Sequence, residues 1–135
     1  TSEGKQVILL DTHVLYWMAN DSKRLSKRAH GAIRKAREGS GIAVAAITLW
    51  EIAWLAHHRR IVVVGSVESF VRETVARVIL RPVTVEVAVL AAGLPEPFPR
   101  DPADRLISAT AMVEGVPLVT ADTRIRRSKV VETVW

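Results

Sequence analysis

The chain has 135 residues, 49% hydrophobic and 24% charged, which suits one compact soluble domain over residues 1–135 and argues against disorder. It has no cysteine, which excludes disulfides, thiolate metal sites and cysteine nucleophiles and fits a cytoplasmic setting. A net charge of +5 suits phosphate backbones, acidic partners or anionic membranes, while no apolar run reaches the roughly 20 residues of a membrane span.

The polar start, residues 1–6, has no secretory pattern. Residues 7–10 read as a buried strand ending at Asp11, followed by a short helix over 13–19. Ser26 predicts the N-cap of a helix to Glu38, with Gly39 as its stop. Residues 42–46 read as a second strand, and Thr48 opens a helix to about His58. The basic His57, His58, Arg59 and Arg60 complement the dipole at that helix's end. Residues 61–64 form an apolar run of undefined type. Ser66 caps a helix to about Val78, residues 80–83 suit a strand, and Thr84 caps a helix through Ala92. The proline-rich stretch 93–102 is a loop. Asp101 with Pro102 opens a helix to Glu114, and Gly115 ends it. Residues 117–120 and 130–134 read as the last strands.

Strands alternating with helices predict an α/β domain with a central, mostly parallel sheet of four or five strands flanked by helices. Sites in such sheets lie outside the carboxyl ends of the strands. Asp11 and Asp122 follow strands, Glu51 is the sole charge in the apolar stretch 42–56, and Asp104 lies in the first turn of a helix. Each has a local explanation as well: Asp11 and Asp122 as caps or turn residues, Thr48 with Glu51 as a capping box, Asp104 at a helix dipole. Together, buried carboxylates repel unless a cation joins them, and all-oxygen ligation suits magnesium or manganese rather than zinc. The four histidines have no metalloprotease spacing.

Four stretches in order, LLDTHVLYW (9–17), AITLWEIAWL (46–55), DPADRLISATA (101–111) and LVTADTRIRR (118–127), with the ending VVETVW, resemble the PIN-domain ribonucleases, specifically the VapC toxins of toxin–antitoxin pairs. The resemblance covers nearly the whole chain. It implies Asp11, Glu51, Asp104 and Asp122 as the catalytic, metal-binding quartet, Mg2+ or Mn2+ as cofactor, and RNA as substrate. Products would carry a 5′-phosphate and a 3′-hydroxyl. It also implies a VapB-type antitoxin that covers the acidic cleft, and a homodimer. Asp11 and Asp104 are the leading direct ligands; Glu51 and Asp122 are open to direct, water-mediated or second-ion binding. Asp101 is a helix cap or a further acid. Thr12, Thr48 and Thr120 are candidates for supporting hydrogen bonds, and Arg105 for an acid pair, a phosphate contact or a structural salt bridge.

Lys23, Arg24, Lys27 and Arg28, and then Arg124, Arg126, Arg127 and Lys129, are candidate RNA contacts or simply a solvated face. Trp50 and Trp54, one helical turn apart, suit core or interface packing, with base stacking as the alternative, and Trp17 and Trp135 suit structural roles. A non-catalytic RNA-binding or interaction module on the same fold is the rival reading. A dehalogenase-type phosphatase is disfavoured because Thr12 and His13, not a second aspartate at the required spacing, follow Asp11. Serine-hydrolase and P-loop signatures are absent.

Overall fold

The computed structural model describes residues 7–135, so the reading of residues 1–6 lies outside the described residues. Strands β1 (Ile8–Leu10), β2 (Ile42–Ala45), β3 (Ile79–Arg81), β4 (Leu118–Val119) and β5 (Thr133–Val134) form one sheet in the order β3-β2-β1-β4-β5. Every pairing is parallel: Leu9 lies opposite Ala43 on one side and Leu118 on the other, Val44 opposite Leu80, and Val119 opposite Val134. The three central strands are buried on both faces, which is why they read as unbroken apolar runs.

Helices cover both faces. These are α1 (Thr12–Asn20), α2 (Lys27–Glu38), α3 (Ile47–His57), α4 (Val67–Thr74), α5 (Val85–Gly93), α6 (Pro102–Glu114) and α7 (Thr123–Ser128). Alternation along the strands divides the core. Leu10, Val44 and Val119 pack with Val14, Leu15 and Ile33 on the face covered by α1 and α2. Leu9, Ala43 and Leu118 pack with Ile107, Ala111 and Ile125 on the face covered by α6 and α7. Burying each large aliphatic side chain contributes about 1.5–3 kcal/mol.

Local chemistry sets most boundaries. Ser26, Ser66 and Thr84 each accept a backbone N–H from three residues on, at 3.1 Å. Asp101 caps α6 ahead of Pro102, and Gly115 ends it in the left-handed region at φ +68°. Two of the expected helix bounds need correction. Thr48 does not open α3: the helix starts at Ile47 without a side-chain cap, and Thr48 is buried inside its first turn. Helix α4 stops at Thr74 rather than Val78, because residues 75–78 turn the chain into β3 beside β2. Residues 61–64 form no regular element; Val62 and Val64 are 78% and 87% exposed, and the Val62 backbone is tied to the Tyr16 hydroxyl. Helix α7 was not anticipated, since only Ile125 of its six residues is buried.

No helix among the described residues is long and apolar enough to cross a membrane.

Candidate active site

Strand β1 lies between β2 and β4, and the chain leaves it toward β2 while β4 is added on the other side. This reversal opens a crevice at the carboxyl edge. Asp11 leaves β1 there, its backbone N–H donating to the Val119 carbonyl of β4 at 3.0 Å. Asp122 follows β4 and caps α7, its Oδ1 accepting from the N–H groups of Arg124 at 2.8 Å and Ile125 at 3.2 Å. Glu51 comes from the second turn of α3, and Asp104 from the first turn of α6.

Two buried threonines, Thr120 and Thr12, bond Asp11, Asp122 and Glu51, and a third, Thr48, backs Thr12. Thr120 Oγ1 donates to Asp11 Oδ2 at 2.6 Å and accepts the Asp122 N–H at 3.1 Å, so one hydroxyl joins two acids. The other Asp11 oxygen accepts the Thr12 N–H at 2.8 Å. The Thr12 hydroxyl donates to Glu51 Oε1 and lies 3.0 Å from Thr48 Oγ1. A hydroxyl has one hydrogen, so with Thr12 committed to Glu51, Thr48 is the donor to Thr12. The expected capping box between Thr48 and Glu51 is therefore replaced by a tertiary link from α3 to α1.

Asp104 reveals how the acids are disposed. Its carboxyl is pushed up to about 7, first by burial and then by the charges of Asp11, Asp101, Asp122 and Glu51. Burial also raises Asp11, with Asp122 adding to the rise and hydrogen bonds from Thr120 and Thr12 and the nearby His13 opposing it. Glu51 is raised by burial and by Asp11 and Asp101, against the Thr12 hydrogen bond. The predicted quartet thus shares one field, and Asp101 joins it while its Oδ1 caps α6 through the Ala103 N–H at 2.8 Å. Its place in the capping sequence Asp101-Pro102 was visible; its reach toward Glu51 was not.

Among the described residues no salt bridge joins a basic side chain to these acids, and His13 acts on Asp11 only through its charge. The ion pairs among the described residues are Arg72–Glu68, Arg81–Glu114 and Arg100–Glu96, none of which involves the five acids. Arg105 donates to the carbonyls of Ala91, Ala92, Leu94 and Pro99, in place of the acid pair or structural salt bridge expected for it. It clamps the end of α5 to the loop before α6.

An all-carboxylate donor set fits a hard divalent cation. As placed, no three His, Cys, Asp or Glu side chains among the described residues form a ready-made cage. The acids are nevertheless near enough to raise one another's pKa.

The basic candidates on 23–28 and 124–129 are exposed. Trp50 and Trp54 are not core residues: they are 58% and 37% exposed, on α3 beside Glu51. Trp17 and Trp135 are half-buried against each other, ring centroids 5.9 Å apart.

A parallel α/β sheet with acids gathered at its carboxyl edge is the arrangement of a PIN domain; residues 8–130 match the PIN-domain family model, and the chain belongs to that family. Ribonuclease VapC22 of Mycobacterium tuberculosis (strain ATCC 25618 / H37Rv) is 45% identical over 130 residues, which cover 95% of this chain and 98% of that protein. Among solved structures, VapBC2 from Rickettsia felis bound to a promoter DNA fragment is similar at a TM-score of 0.67 and 15% identity, covering 95% of this chain and 97% of that one. A toxin–antitoxin complex from Klebsiella pneumoniae is similar at 0.68 and 19% identity, covering 95% and 96%. These two likenesses establish the fold.

Proposed function

We propose that this chain is a divalent-metal-dependent endoribonuclease, the toxin of a toxin–antitoxin pair acting on RNA in the cytoplasm. The observation that carries the reading is the field at Asp104: four further carboxylates act on one half-buried acid, and no ion pair among the described residues offsets them. Such a charge arrangement is costly unless a cation occupies it. The naming of the 45% identical relative as a ribonuclease supports the choice of reaction.

Asp11 and Asp104 would hold Mg2+ or Mn2+, with Glu51 and Asp122 binding directly, through water or toward a second ion. Bound there, the cation supplies Lewis acidity toward the phosphate and a more acidic water. Thr120 fixes one Asp11 oxygen while holding the Asp122 backbone, and Thr12 holds Glu51 from the start of α1. Asp104 retains its proton to near neutrality and must release it to become a full ligand. In the hydrolysis, a water oxygen bonds to phosphorus and gives up a proton, the bond from phosphorus to the 3′-oxygen breaks and that oxygen takes up a proton, giving a 5′-phosphate and a 3′-hydroxyl. The basic residues of α7 begin two residues after Asp122 and suit the phosphates flanking the cut. A VapB-type antitoxin covering the acids and a second copy of the chain are the proposed protein partners.

The test is cleavage of total RNA by purified protein with magnesium, manganese or chelator, beside Asp11→Asn and Asp104→Asn. Cleavage that needs metal and disappears in both variants is expected. RNA binding without cleavage in the wild type would favour the non-catalytic module.

A further inference from the structure

Beside the acids, and sharing Glu51 with them, is a pocket of about 550 Å³. Ile47, Leu55 and Ala103 line its apolar part, Trp50 and Trp54 add aromatic surface, and Glu51 and Asp101 carry it to the acid cluster. Its volume falls within the roughly 300–1,000 Å³ of sites for small organic groups.

Four-residue spacing places Trp50 and Trp54 on one face of α3, and His58, the residue after its end, continues the row. The Trp50 and Trp54 centroids are 6.5 Å apart, and His58 stacks on Trp54 at 3.9 Å with 20° between the planes. The Arg60 guanidinium lies 5.8 Å from the Trp54 centroid. Trp54 is thus braced by its neighbours, whereas Trp50, 58% exposed, offers its indole beside Glu51.

We propose that Trp50 and this pocket form a subsite for one unpaired base of the RNA, next to the phosphodiester that is cut. This rests on the ribonuclease reading above. Two observations favour a nucleobase over a protein side chain. The pocket includes two of the five acids, so its occupant lies beside the reacting phosphate. The Arg60 guanidinium beside Trp54 supplies positive charge for a phosphate next to a stacked base. An indole stacks on any base, so the subsite selects for single strands more than for sequence.

The test uses the whole protein and short single-stranded RNA in manganese. Trp50→Ala is expected to raise KM by about fivefold or more, the loss falling on KM rather than kcat, with Trp50→Phe retaining most of the affinity. In an Asp104→Asn background, poly(uridine) is expected to quench tryptophan fluorescence, and Trp50→Phe to remove much of that quenching while binding persists. An unchanged KM in Trp50→Ala overturns the subsite, including the case in which the variant loses only its response to a protein inhibitor. Quenching that does not depend on Trp50 overturns it equally. If the wild type shows no metal-dependent cleavage yet Trp50-dependent quenching remains, the catalytic reading fails and the base subsite stands. Matching melting temperatures for wild type and Trp50→Ala, expected for a side chain this exposed, exclude misfolding as the cause.

Discussion

Replacing Asp104 by asparagine is expected to stabilise the cation-free protein while abolishing cleavage. The Asp104 carboxyl is pushed from its ordinary 3.8 up to about 7 by burial and then by the four neighbouring acids. Between those values the folded state binds more protons than the unfolded chain, so stability falls as pH rises. The penalty is absent below about pH 4 and complete above about pH 7. At 1.36 kcal/mol per pKa unit, the upper bound is about 4 kcal/mol. Solvent screening of this half-buried group reduces it to about 2 kcal/mol. For a chain of this length that is on the order of 7 °C in Tm. Asparagine has nearly the same shape and no charge, so it removes the penalty. Thermal unfolding followed by circular dichroism in chelator, at about pH 8 and about pH 4.5, measures the effect. The variant is expected to melt higher at the upper pH, with most of the gap gone at the lower. Added manganese should narrow the gap, since ligand at 100-fold over Kd stabilises the wild type by about 2.7 kcal/mol and a variant that binds tenfold more weakly by only about 1.4 kcal/mol. A variant no more stable at the upper pH, or a gap that does not change with pH, refutes the reasoning.

Thr120→Val removes the donor to Asp11 and the acceptor of the Asp122 N–H; a loss of about 1–3 kcal/mol in urea unfolding is expected, with a higher manganese requirement for cleavage. Arg105→Lys replaces a planar fork that reaches four carbonyls by a single ammonium. It should destabilise by about 2–4 kcal/mol while folded protein at low temperature still binds RNA; normal stability with lost RNA binding would contradict the clamp. Reversing Arg124 and Arg127 to glutamate should weaken RNA binding and flatten its dependence on salt, by about 0.7 in the log–log slope per lost single-strand phosphate contact. An unchanged slope would remove α7 from the RNA path.

The features legible in the sequence were those set by neighbouring residues. Ser26, Thr84 and Asp101 each sit just ahead of a helix and cap it through their own side chains. The apolar runs before Asp11 and Asp122 marked strands because the middle of the sheet is buried on both faces. What stayed hidden depends on partners distant in the chain. Thr48 and Glu51 have capping-box spacing, yet Thr12, from 36 positions before Thr48, meets both. Arg105 stands next to Asp104, and only the path of the 91–99 loop explains why it turns to carbonyls instead of acids. Trp50 and Trp54 have the spacing of a buried stripe, but α3 is apolar nearly all round and that spacing does not say which face meets the core. Helix α7 carries too few apolar residues to announce itself and is held by Asp122 and by Ile125 alone.

The most direct test is manganese binding followed by titration calorimetry, with wild type, Asp11→Asn and Asp104→Asn compared in two buffers of different ionisation enthalpy. Wild type should bind with release of protons near neutral pH, and each substitution should weaken binding by more than about tenfold. Equal affinity in all three proteins, or no binding in any, would contradict a cation site built from these carboxylates.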